Sequence, residues 1–61
     1  MKLKDWREKK DWSRQQVADA VGTGRMQVYR WEMSGTIPSK KLMAQIESLT
    51  RKQVRAIDFY A

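Results

Sequence analysis

Apolar residues recur along this chain at spacings of three and four, and nowhere do they alternate with polar residues over a sustained stretch. The first spacing marks one face of a helix, whereas alternation would mark a strand. The pattern therefore predicts short helices joined by tight turns, with little or no strand. Leu3 and Trp6, three apart in a charged segment, predict a short helix from about Leu3 to Lys10, broken by Lys9-Lys10-Asp11. A second helix has a full start signature. Ser13 is a good N-cap, Gln16 completes a capping box, and Trp12 and Val17 sit where a hydrophobic staple would. Val17, Ala18 and Val21 share one face, and Gly22 ends the helix. Thr23 or Gly24 caps a third helix running to about Ser34, with Val28 and Trp31 pointing inward and Gly35 as its stop. Pro38 and Ser39 open a fourth helix carrying the stripe Leu42, Met43, Ile46 and Leu49. The remainder, Thr50 to Ala61, bears Val54, Ile57, Phe59 and Tyr60 and reads as a brief turn or short helix that closes the core. The expected fold is all-α: a compact bundle of four to five short helices in one domain spanning residues 1–61.

The second and third helices meet across a tight glycine turn, the arrangement of a helix-turn-helix. Ala18 is small where the two helices approach, and Val28 locks the third helix from beneath. The same arithmetic turns Arg25, Met26, Tyr29, Arg30 and Met33 to the other side, because 25, 29 and 33 are spaced by four and so are 26 and 30. In such modules the N-terminal residues of the second helix reach base edges in the major groove. Arginine can bond both O6 and N7 of guanine, glutamine can do the same to adenine, and a methionine can touch a thymine methyl. Arg25, Met26, Gln27 and Arg30 are thus the candidate base-reading group on a recognition helix over about 24–34.

Charge sharpens this picture. Thirteen Lys and Arg against seven Asp and Glu give the 61 residues a formal net charge of +6, which favours an anionic partner, nucleic acid first and a membrane surface second. There is no cysteine to form a disulfide or hold zinc, and no histidine to serve as a general base or metal ligand. No serine stands beside a plausible base, and the carboxylates are scattered, so an enzyme is not expected, nor a cofactor, a metal or a small-molecule ligand. No apolar run approaches the roughly 18 residues of a membrane span, and no secretory leader is visible, so a cytoplasmic setting is expected. No sensor domain is expected within these 61 residues.

The central pattern resembles the Cro and lambda-repressor-like helix-turn-helix proteins of phages and bacteria. The matching residues are Ser13, Gln16-Val17-Ala18, Val21-Gly22-Thr23, Val28, Trp31-Glu32, Gly35, Ile37-Pro38-Ser39 and Leu42, with an echo of the family's tail in Thr50, Val54 and Asp58-Phe59-Tyr60. The resemblance implies a DNA-binding regulator of transcription that usually acts as a dimer. It implies that Gly24 to Gln27 open the recognition helix, with Gly24 at the phosphate backbone and Arg30 one turn on. It puts Arg14 on a phosphate, where relatives often have glutamine that also supports the recognition helix. It puts Ser39, Lys40 and Lys41 on the backbone through amides and basic side chains. It pairs Glu32 with Arg7 of the first helix, a role that holds helices together. Val54 and Phe59 match the family's tail and go to the core, leaving Ile57 and Tyr60 as dimer-interface candidates.

Other positions keep two readings. Trp6, Trp12 and Trp31 fit the core better than a base-stacking platform. Tyr29 suits either a hydroxyl contact to phosphate or a cover over apolar surface. The Arg51, Lys52 and Arg55 cluster reads as solvated charge before it reads as an outlying DNA contact. The resulting expectation is a sequence-specific, double-stranded DNA-binding regulator, a Cro-like repressor that binds a palindromic operator as a homodimer in the bacterial nucleoid and is phage- or prophage-encoded. The alternatives are an antitoxin of a toxin–antitoxin pair, or a helix-turn-helix module that binds protein.

Overall fold

The computed structural model describes residues 1–60. Ala61, the end of the expected closing segment, lies outside the described residues. Four α-helices follow one another: α1 (Leu3–Lys9), α2 (Arg14–Val21), α3 (Arg25–Met33) and α4 (Lys40–Leu49). A single 3-10 turn, Ala56–Phe59, comes after them, and no strand occurs among the described residues.

The local signals act as the chemistry of helix ends requires. Ser13 accepts a hydrogen bond from the Gln16 amide at 3.1 Å, and the Gln16 side chain accepts one from the Ser13 amide at 2.7 Å. Two of the four orphan donors of α2 are thereby satisfied. At the other end of α2, Gly22 takes a left-handed conformation with φ +83°. The amides of Gly22 and Thr23 both donate to the Ala18 carbonyl at 2.9 Å. Nothing lies within 4 Å of where a β-carbon on Gly22 would sit, so the glycine is needed for its backbone angle and not for space. Of the two candidates for the α3 cap, Gly24 is the one used, in extended geometry. Ser39 caps α4, its hydroxyl accepting from the Leu42 amide at 3.4 Å. Pro38 therefore precedes the helix and is not in its first turn. Its ring is buried, and it holds the chain extended ahead of the cap.

The core forms where the apolar faces meet. Leu3 and Trp6 of α1, Val17, Ala18 and Val21 of α2, Val28 and Trp31 of α3, Ile46 of α4 and Val54 are buried in one cluster. Trp12, Leu42, Leu49 and Phe59 pack against it half-buried. Trp6 and Trp12 meet edge to face, with centroids 5.4 Å apart and planes at 77°. Thr50, just past α4, is a polar residue buried with the core. Its hydroxyl donates to the Ile46 carbonyl at 2.8 Å and accepts from the Val54 amide at 3.2 Å. That pair of bonds turns the chain back so that Val54 enters the core. α2 packs chiefly on α3 and secondly on α4.

Candidate nucleic-acid interface

α3 has two unlike sides. Val28 and Trp31 are buried, while Arg25, Met26, Gln27, Tyr29, Arg30 and Met33 are exposed. An acidic residue near the end of this helix would repel a polyanion if it faced outward. Glu32 does not, because its side chain has no solvent exposure. The outer side of α3 is therefore cationic, amide and apolar.

Burying a carboxylate is costly unless charge and hydrogen bonds compensate it, and here two arginines do so. Arg7 Nε donates to Glu32 Oε2 at 2.8 Å and Arg7 Nη2 to Glu32 Oε1 at 3.1 Å, a two-pronged pairing. Arg14 Nε donates to Glu32 Oε1 at 3.0 Å. The Arg7 and Arg14 side chains are 12% and 32% exposed. The hydrogen bond to Glu32 raises the Arg7 pKa above its ordinary value against the opposing effect of burial. Arg7 Nη1 also donates to the Trp12 carbonyl at 3.0 Å, which ties the linker before α2 into the same knot. α1, α2 and α3 are thus joined at one carboxylate.

Arg14 has a second contact. Its guanidinium carbon lies 5.1 Å from the centroid of the Tyr29 ring, in cation–π geometry. Neither the Arg14–Glu32 bond nor this stack is visible as a periodicity in the sequence. Arg14 and Glu32 are 18 residues apart and meet only because the glycine corner folds α2 onto α3. Arg14 spends one nitrogen on Glu32 and keeps part of its guanidinium exposed.

The other candidate residues are distributed in four places. Arg14, Arg25, Met26 and Tyr29 line one recess, and Gln27 and Arg30 stand exposed on α3 beside it. Gly24 is at the exposed N-cap of α3. Ser39, Lys40 and Lys41 are exposed at the start of α4, where the first amides of a helix have no intrahelical partner. Ile57 and Tyr60 are 70% and 69% exposed at the closing turn.

This corner of two helices, with a glycine in the left-handed region and a cationic second helix turned outward, has a counterpart among known families. A family model described as helix-turn-helix matches residues 3–57. The chain belongs to this family. It is of the Cro/C1 type, and its domain is a DNA-binding one, not one of an enzyme family. No curated protein and no solved structure is detectably similar to the chain. In this helix-turn-helix protein α2 and α3 are the two helices that meet at the glycine corner. Among the described residues no helix is long and apolar enough to cross a membrane, and no group of three or more His, Cys, Asp or Glu is placed to hold a metal.

Proposed function

We infer that the protein is a sequence-specific, Cro-like repressor that binds a palindromic operator as a homodimer, each copy laying α3 in the major groove. The observation that carries this reading is the exposed, acid-free side of α3, with Arg25, Met26, Gln27 and Arg30 turned to solvent. In this role Arg25 and Arg30 bond guanine edges, Gln27 bonds adenine, and Met26 touches a thymine methyl. Arg14, Lys40 and Lys41 neutralise phosphates, with Tyr29, Gly24 and Ser39 contributing hydroxyl and amide contacts. Phosphate contacts give affinity to all DNA, and base contacts give preference among sequences.

Size supports the dimeric part. Nine residues of α3 span about 13 Å, the length of roughly four base pairs. So short a site cannot single out one place in a genome, whereas two half-sites can. Half-sites one turn apart are about 34 Å centre to centre, and one copy measures 22 Å at its longest. Reading both therefore takes two copies.

The test is selection of random duplex sites on the purified protein, followed by sequencing. A palindrome of two short half-sites is the expected outcome, and no enrichment above background would overturn the reading. Arg25→Ala is expected to cost about 1–3 kcal/mol and to relax preference at one base pair. If it weakened all sequences equally, direct readout by Arg25 would be wrong.

A further inference from the structure

The apolar residues on the outer side of α3 need an account that hydrogen bonding does not give. Met26 is 59% and Tyr29 44% exposed. With Arg14 and Arg25 they line a recess of about 310 Å³ that opens to solvent. The thioether and the phenol ring make apolar walls, and the two guanidinium groups make a cationic rim. One side of the recess is held in place before any ligand arrives. Arg14 is bonded to the buried Glu32 carboxylate at 3.0 Å and lies over the Tyr29 ring, so both side chains are braced together.

A cationic rim around apolar walls calls for an anionic partner that carries an apolar group. Duplex DNA meets this description in one way. Base edges in the major groove present nitrogen and oxygen, and the single apolar feature among them is the C5 methyl of thymine. A 5-methylcytosine places the same methyl at the same ring position. Methionine is suited to closing on such a group, because its thioether is polarisable and its three torsions adapt to the contact. Arg25, on the rim, can then bond O6 and N7 of a guanine next to that pyrimidine.

We propose that the Arg14–Arg25–Met26–Tyr29 recess is a reader of the pyrimidine C5 methyl group, with Arg25 on the adjoining guanine. The half-site then contains a 5-methylpyrimidine–guanine step, either TG or methylated CG, and affinity for it depends on the methyl. This deepens the proposed base reading and rests on α3 being the DNA-facing helix.

The experiment uses the selected duplex in two altered forms. In one, each thymine of a half-site is replaced in turn by deoxyuridine, which lacks only the methyl. In the other, each cytosine is replaced in turn by 5-methylcytosine. Affinity is measured for the natural protein and for Met26→Ala, whose melting temperature should be unchanged because the side chain is exposed. One pyrimidine per half-site should show an effect of about fourfold, the size expected for burying one methyl. Weakening by deoxyuridine identifies thymine as the group read, and strengthening by 5-methylcytosine identifies the methylated base. In Met26→Ala the effect should vanish. Indifference to the methyl at every position, or a methyl effect that persists in Met26→Ala, overturns the proposal while leaving specific DNA binding intact. Absence of specific binding to any duplex overturns the broader reading as well.

Discussion

Glu32 is the residue at which three helices are tied together. Its carboxylate is buried between Arg7 and Arg14, and removing one member of a buried ion network costs about 3–5 kcal/mol because the partners are left uncompensated. A domain of 61 residues has roughly 3–9 kcal/mol in total. Glu32→Ala is therefore expected to lose a large share of that stability, shown by a much lower melting temperature in circular dichroism. Arg14→Ala should be much milder, about 1 kcal/mol or less, since Arg14 is a third exposed and leaves the two-pronged Arg7 pairing in place. Equal losses for the two variants would mean that Arg14, not Arg7, is the main counter-charge. The Arg7–Glu32 pairing follows in the sequence only from resemblance to relatives. The Arg14 arm does not follow at all, because it depends on how closely α2 and α3 approach, and spacing along the chain does not encode that distance.

The elements differ in how far their ends can be read. α2 is legible at both ends because its signals are local: Ser13 and Gln16 close a ring of atoms three residues wide, and Gly22 supplies the left-handed angle. Gly22→Ala should cost about 1 kcal/mol in a denaturant melt, through that angle alone. The exit from α4 is less legible. Arg51 and Lys52 both take positive φ, 54° and 64°, where glycine would be the ordinary choice. The turn persists because Thr50 is bonded inside it and Val54 is buried beyond it, a tertiary cause that overrides local preference. Lys52→Gly is accordingly expected to raise stability by about 0.5–1 kcal/mol. Thr50→Val should lower it by about 1–3 kcal/mol by leaving the buried Val54 amide without its acceptor. The closing 3-10 turn has a pH dependence of its own. The Asp58 carboxylate accepts from the Arg55 amide at 2.8 Å and from the N-terminal ammonium at 3.0 Å. These contacts, the Arg55 bond first, hold its pKa below the ordinary 3.8. A carboxyl depressed in the folded state stabilises above its unfolded value, and that contribution fades as pH falls through the lowered one. Asp58→Asn should therefore flatten the acid side of the stability curve below about pH 4 and leave neutral DNA binding unchanged.

At the scale of the whole molecule, charge and shape set how the protein works on DNA. With +6 on 61 residues, affinity should fall steeply with salt, and Lys40→Ala should reduce the slope of log K against log salt by about 1 while weakening all sequences alike. Charge alone cannot hold two copies together, since like surfaces repel. In the proposed dimer the seam would come from apolar surface the fold leaves uncovered. Ile57 and Tyr60 are the most exposed large apolar residues. Ile57 lies on the closing turn and Tyr60 caps it, while Phe59 beside them packs on the core. Two such side chains fall far short of the roughly 800 Å² per partner of a stable interface, so dimers should be weak in solution and form chiefly where an operator aligns two copies. Ile57→Asp tests this directly. The monomer should melt as before, because the side chain touches little in it, and binding to an isolated half-site should be unchanged. Binding to the full operator should drop about ten- to a hundredfold, the worth of burying one isoleucine, and the binding curve should lose its cooperativity. Fluorescence anisotropy on half and full sites reads all of this. An equal loss on both, or no loss on either, would place the seam elsewhere on the molecule.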